Sequence, residues 1–179
     1  MIIAHFDFVA LQEIRDTVVV QKMKDILGPT WQTSVSDPIG TDGRKERYAF
    51  VWRSNRLSLI NEAHLLNDVG NKFVREPYMG FFRATNFDFV ITTIHVVFGE
   101  TISGRRAEIS HLDDVLNLIK TRAKGENDLI ICGDFNMPPT DVGWDLNGWM
   151  PLINPPLTTT VGDVSLYDNF WFSLLASLS

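Results

Sequence analysis

The chain has little cysteine, no surplus of positive charge and no long apolar run, and each shortage excludes something. Among its 179 residues Cys132 is the one cysteine, so no internal disulfide can form and no cysteine-rich metal cluster is available. Its place in the apolar run Leu129-Ile130-Ile131-Cys132 makes it a buried, inert thiol rather than a nucleophile. No apolar run approaches the ~20 residues that a membrane-spanning helix needs, so no membrane partner is expected. No basic segment leads into an apolar stretch and a cleavage site, so no secretory leader is read. The expected setting is therefore the cytoplasm if the chain is complete as given. The net charge of −6 argues against a broad basic surface. It leaves room for a site in which clustered acids hold a cation against phosphate.

What is present is the composition of a globular domain, 45% hydrophobic and 21% charged, with no repeat, low-complexity tract or linker to divide it. A strand is expected over residues 6–12, then a helix from an Asp16 cap to Leu27, stopped by Gly28-Pro29. Trp31 to Val35 reads as a strand and Ser36 to Arg44 as a polar loop. Tyr48 to Trp52 and Leu57 to Ile60 read as a pair joined at Ser54-Asn55. Met79 to Thr85 and Phe87 to His95 form a second pair. Apolar spacing predicts one helix from about Gly104 to Lys124, with Ile109, Leu112, Val115, Leu116 and Ile119 on one side. Leu129 to Cys132 is a buried strand. Residues 138–156 are irregular, with a short helix near Val142 to Leu146, and Leu157 to Val161 and Tyr167 to Phe172 are strands. Strand pairs with long helices between them suggest two packed sheets flanked by helices. The five tryptophans, Trp31, Trp52, Trp144, Trp149 and Trp171, are read as packing residues.

The chemistry gathers at strand ends. Gly133-Asp134-Phe135-Asn136 closes a buried strand with an acid and an amide two positions apart, on one side of an extended chain. That pair suits a metal, a water or a phosphate; its plain structural use is a turn before Pro138-Pro139. Glu13 closes the first strand and is a good hard-cation ligand, or a solvated strand-end acid paired with Arg15. His95 closes an apolar strand. Beside Glu46 it would have a fixed tautomer and a raised proton affinity, as a general acid requires. Arg47 and Arg75 could grip phosphate bidentately, or pair on the surface with Glu46 and Glu76. His5, His64 and His111 have no comparable context.

Taken together these segments resemble the endonuclease/exonuclease/phosphatase superfamily, and within it the deoxyribonuclease I branch. Leu11-Gln12-Glu13-Ile14-Arg15-Asp16 is similar to the family's metal-ligand segment, which implies Glu13 as the ligand and Arg15 near substrate phosphate. Lys45-Glu46-Arg47-Tyr48-Ala49-Phe50 resembles the strand whose Glu partners a catalytic histidine, and Thr93-Ile94-His95 supplies that histidine. Arg75-Glu76-Pro77 matches a segment whose Arg lies along the DNA backbone. Gly133-Asp134-Phe135-Asn136 resembles the family's best-known motif, and Tyr167-Asp168-Asn169 the Asp that orients a second, late histidine. The resemblance implies an α/β fold, a four-layer α/β/β/α sandwich. It implies an endonuclease that hydrolyses DNA with Mg²⁺, or Mn²⁺ or Ca²⁺. His95, Glu46, Asp134 and Asp168 would be catalytic; Arg15, Arg47, Arg75 and Asn136 would bind substrate; Glu13 would hold the metal.

Two departures bear on activity. The family's opening strand with Asn at its tip has no room before residue 6, and the closing Ser-Asp-His segment does not follow Asp168. The chain is therefore expected to be a single domain over residues 1–179, truncated at both ends. The competing expectations are a phosphatase or phospholipase of the same superfamily, and a catalytically inactive binding or structural remnant.

Overall fold

A computed structural model describes residues 2–68, 70–99, 101–123, 125–143 and 146–173. A short 3-10 turn over Ile2–His5 leads into β1 (Phe8–Ile14). Helix α1 (Thr17–Leu27) follows, with Asp16 as its N-cap accepting from the Val18 N–H at 2.8 Å. Strands β2 (Trp31–Val35) and β3 (Arg47–Arg53) complete an antiparallel three-stranded sheet in the order β1-β3-β2. The second sheet has six strands in the order β4-β5-β6-β7-β9-β8. They are β4 (Ser58–Leu65), β5 (Tyr78–Ala84), β6 (Phe87–His95), β7 (Leu129–Asp134), β8 (Trp149–Pro151) and β9 (Asp168–Ser173). Among the described strands only the β6–β7 pair is parallel. That pairing needs a crossover, supplied by α2 (Ile102–Ile109) and α3 (Leu112–Arg122). A one-turn helix, α4 (Pro139–Val142), follows β7.

Two hydrophobic layers hold this α/β architecture together, and side-chain alternation assigns each strand residue to one of them. Between the sheets, Phe8, Tyr48, Phe50 and Trp52 meet Tyr78, Phe82, Phe89, Ile91 and Cys132. Phe50 and Phe82 pack edge to face, 5.6 Å between centroids. Gly80 lets the sheets close to this distance, since a Cβ there would meet the Phe50 ring at 3.1 Å and the Phe82 ring at 2.8 Å. On the other face of the larger sheet, Met79, Val90, Ile94, Leu129 and Ile131 pack against Ile109, Leu112, Val115, Leu116 and Ile119. Trp31, Trp52, Trp149 and Trp171 are all buried, and burial pushes the Cys132 thiol up to about 12. No described helix is long and apolar enough to cross a membrane.

Several sequence expectations need correction. Strands β3 and β4 do not pair: the turn at residues 54–57 carries the chain from the small sheet to the edge of the large one. Short strand spacing could not distinguish that sheet change from a hairpin. The single helix over 104–124 is two helices, broken at Ser110-His111, where Ser110 Oγ donates to the Ala107 carbonyl. The apolar spacing runs unbroken through the break, so periodicity concealed it; Lys124 lies outside the described residues. Residues 157–161 form no strand but a loop clamped by Thr159 and Thr160, and the stretch 138–156, expected to be irregular, contains the short edge strand β8. Of the expected helix near 142–146, α4 ends at Val142, and residues 144 and 145, with Trp144, lie outside the described residues.

Candidate active site

Polar residues replace apolar ones between the sheets at one end, and there the strand tips meet. In the parallel register of β6 and β7, His95 stands beside Asp134; in the antiparallel register of β7 and β9, Asp134 stands beside Asp168. All three lie on the face turned toward the smaller sheet, the face that carries Ile91 and Cys132 further along. From the smaller sheet β1 brings Gln12 and Glu13, and the residue before β3 is Glu46. Gln12 Nε2 donates to Thr93 Oγ1 at 2.7 Å and the backbone N–H of His95 donates to the Tyr48 hydroxyl at 3.0 Å, so hydrogen bonds join the two sheets at this end.

Two local backbone features place the acids. Gly133 has φ +135° and a Cβ there would lie 2.0 Å from the Ile94 carbonyl oxygen, so only glycine lets β7 run this close to β6. Glu13 has φ +58° and sits in a register shift between Leu11 and Ile14, a bulge that re-aims its side chain. Asn136 has φ +51°; its N–H donates to Asp134 Oδ1 at 2.7 Å and its side-chain amide donates to the Val96 carbonyl at 2.7 Å. Left-handed non-glycine residues cost backbone energy and cluster where geometry is imposed by function.

At the centre, His95 Nδ1 lies 2.6 Å from Glu46 Oε1, and both side chains are over nine-tenths buried. The hydrogen bond expected from the sequence is therefore present. It fixes Nδ1 as the protonated nitrogen and turns Nε2 toward the cleft, 3.9 Å from both Glu13 Oε1 and Asp134 Oδ2. Burial opposes the charge of Glu46. The His95 hydrogen bond and the charges of His95 and Arg75 outweigh it and hold the carboxyl below its usual range. Arg75 Nε lies 3.1 Å from Glu46 Oε2, an ion pair without hydrogen-bond alignment, and its Nη1 donates to the His95 carbonyl at 3.4 Å. Asp134 is pushed up, first by burial and then by the neighbouring charges of Asp168 and Glu13, against the pull of the Asn136 N–H and His95.

Glu13, Arg15, Arg44, Glu46, Arg75 and His95 line one open cleft, and Asp168 lines an adjoining groove with Gln12 and Gly133. Arg47 does not reach the cleft: its guanidinium donates to the Ser36 carbonyl at 2.7 Å, on the opposite face of β3 from Glu46. Alternation along β3 accounts for this, since adjacent residues point to opposite faces. His5, His64 and His111 all lie away from the cleft; His111 is the N-cap residue before α3, 3.6 Å from Asp114. Sequence reasoning missed Tyr48, quoted within a motif but given no role, and Glu108, a helical acid that no pattern distinguishes from a solvated one.

Among the described residues, no group of three or more His, Cys, Asp or Glu side chains is arranged to hold a metal. The oxygen donors do fit a cation that needs few protein ligands. Glu13 is 71% exposed at the cleft mouth, and Mg²⁺ commonly takes one or two carboxylates and fills its shell with water and phosphate.

The family model described as the endonuclease/exonuclease/phosphatase family matches residues 1–157. The chain belongs to the endonuclease/exonuclease/phosphatase family. A deoxyribonuclease of Thioalkalivibrio sp. (strain K90mix) is 32% identical over 188 residues, covering 95% of this chain and 51% of that protein. Deoxyribonuclease-1 of Bos taurus is 32% identical over 149 residues, covering 75% of this chain and 51% of that protein. The chain thus spans about half the length of the curated relatives it matches. Solved structures of the family share the fold. A Bacteroides thetaiotaomicron family member superposes with a TM-score of 0.67 at 19% identity over 96% of this chain and 71% of that one. A mannosyl-6-phosphatase of the same organism superposes at 0.65 and 19% identity, covering 96% and 75%.

Proposed function

We propose that this chain is a metal-assisted phosphodiesterase domain of the endonuclease/exonuclease/phosphatase family whose substrate is DNA. The observation that carries the reading is the buried His95–Glu46 pair, with Nε2 turned toward Asp134 and Glu13 at the ends of neighbouring strands. The relatives named deoxyribonucleases, at about a third identity, favour DNA over other phosphoesters.

In this reading Glu46 holds the Nδ1 proton of His95, and Nε2 hands a proton to the leaving oxygen of the scissile phosphodiester. Arg75 braces Glu46, while Arg15 and Arg44 on the cleft wall meet phosphate oxygens. Asn136 and Asp134 hold the phosphate side, and Asp168, next to Asp134, orients the attacking water. A divalent cation, Mg²⁺ or else Mn²⁺ or Ca²⁺, would be held by Glu13 and would supply charge neutralisation at the phosphate. The phosphatase reading, expected from the superfamily, has a mannosyl-6-phosphatase among its structural neighbours, and that likeness supports the fold alone.

The test is nicking of supercoiled plasmid by the purified chain with Mg²⁺ or Ca²⁺, and with chelator. Metal-dependent nicking that His95→Ala reduces by about 10²- to 10⁴-fold supports the assignment. Metal-dependent nicking that His95→Ala leaves unchanged refutes it. DNA binding without nicking supports an inactive binding remnant.

A further inference from the structure

Resting on that reading of the cleft, we propose that Glu108, on α2, is a positioning residue that sets the backbones carrying His95 and Arg75 against each other. Its side chain is buried, with the residue 4% exposed, and it does not reach the cleft. Each of its carboxylate oxygens accepts one backbone N–H: Oε1 from Val74 at 2.7 Å and Oε2 from Val97 at 2.5 Å. Val74 directly precedes Arg75, and Val97 follows His95 by two residues. One carboxylate therefore fastens the two segments whose side chains converge on Glu46.

The rest of the segment from His95 to Phe98 is held in the same way. Tyr48 takes the His95 N–H and Arg75 meets its carbonyl. The Asp134 carbonyl takes the Val96 N–H, and Asn136 donates to the Val96 carbonyl. Arg105 donates to the Phe98 carbonyl, and its other arm to the Asn136 carbonyl. Past the end of β6 the Asp134 carbonyl gives Val96 one further sheet partner, and the backbone beyond it relies on these groups. Within this set Glu108 alone joins the Arg75 segment to the His95 segment from the helix side. Two N–H donors need two acceptors, and a carboxylate offers both without a donor of its own, which a glutamine cannot. Burial pushes the Glu108 carboxyl up against the pull of those N–H groups, Arg75 and His95.

The experiment uses the full chain with Glu108→Gln and Glu108→Asp. Glutamine keeps the size but sets an amide donor against a backbone N–H; aspartate keeps the charge but falls short by a methylene. The readouts are far-ultraviolet dichroism, the downfield Nδ1–H proton resonance of His95, and the kcat and KM of plasmid cleavage. We expect folded variants, a shifted or broadened Nδ1–H resonance, and a kcat lowered about 10- to 100-fold with KM within about 3-fold, since a small displacement of an acid catalyst has that effect. Aspartate should recover part of the loss. A folded Glu108→Gln chain with an unmoved resonance overturns the proposal. The resonance is read without turnover, so a chain that cleaves nothing defeats the proposed function while the spectrum still decides the positioning role. If neither variant folds, a titration of the wild-type chain decides. Glu46 is held low while Glu108 and Asp134, 3.9 Å from His95, are both pushed up, so the Val74 and Val97 amides mark the Glu108 step and the Asn136 amide marks the Asp134 step. The His95 ring signal should inflect at the step followed by the Val74 and Val97 amides, and a ring signal flat through that step overturns the proposal.

Discussion

Asp134 and Asp168 face each other across the antiparallel pair of β7 and β9, two carboxylates at adjacent strand tips. Burial raises the proton affinity of Asp134 and the Asp168 charge raises it further. The folded chain therefore binds a proton that the unfolded chain has already released. Stability falls as pH rises from the unfolded value to the folded one, and the deficit persists at neutral pH. Asp168→Asn should thus stabilise the fold at pH 7 by about 0.5–1 kcal/mol, the scale of a like-charge cross-strand pair. The gain should shrink toward pH 3, as Asp134 takes up its proton and the like-charge pair is lost. Thermal melts at the two pH values check it; equal gains at both would show that charge is not the cause.

Glu46 carries the opposite sign. Its carboxyl is held below the usual range, so its contribution is complete above the unfolded value and is lost as pH falls through the folded one. Removing one partner of a buried pair strands the other, at a cost of about 3–5 kcal/mol. Glu46→Ala should therefore lower the urea midpoint sharply at pH 7. The difference from wild type should shrink on acidification. A midpoint difference that stays constant from pH 7 to pH 3 would contradict the pair.

Gly133 tests the close approach of β6 and β7. A methyl group at φ +135° and 2.0 Å from the Ile94 carbonyl combines backbone strain with overpacking. Gly133→Ala should cost about 3 kcal/mol or more. Since the adjacent residues are His95 and Asp134, activity should fall together with stability. A urea midpoint within error of wild type would mean that the strands separate without cost.

Much of this arrangement was legible because it depends on short-range rules. Alternation in β7 puts Asp134 with Cys132 on the inter-sheet face, and the Gly133-to-Asn136 run announced a constrained strand tip. The Asp16 cap and the Gly28-Pro29 stop bounded α1 correctly. What stayed hidden depends on which strand meets which. Nothing in residues 54–57 says that the chain changes sheets, and nothing in the spacing of Ile109 and Leu112 reveals a break between them. Arg47 was expected at the phosphate for its bidentate chemistry; alternation along β3 turns it to the face opposite Glu46, against Ser36. Glu108 was unreadable because its partners are backbone N–H groups more than ten residues away along the chain.

The Glu13 side chain is largely exposed, so its truncation should leave the fold intact. Calorimetric titration with Mg²⁺, Mn²⁺ or Ca²⁺ should show modest affinity, because a single carboxylate with water and phosphate makes a weak cage in the absence of DNA. Glu13→Ala should abolish the heat of binding with an unchanged melting curve. Binding retained in that variant would move the metal to Asp134 and Asp168.

The rate of DNA cleavage is the most exposed expectation. In the proposed mechanism the acid is His95, which Glu46 holds and Arg75 flanks. The water side is not furnished in the same way. Of the chain's four histidines only His95 lies at the cleft, and Asp168 has no histidine beside it among the described residues. Water would be oriented by a carboxylate whose neighbour Asp134 repels the phosphate unless a cation screens both. Members of a cooperating set are not additive, so a cleft that orients water through carboxylates alone is expected to be several orders of magnitude slower than one with a second histidine. The 179-residue chain should therefore nick plasmid DNA more slowly than the bovine deoxyribonuclease-1 by about 10³-fold or more. Adding Mg²⁺ should raise the rate and His95→Ala should remove it. Side-by-side nicking at equal protein and metal concentration measures the ratio. A rate within tenfold of the bovine enzyme would show that Asp134 and Asp168 activate water without a second histidine.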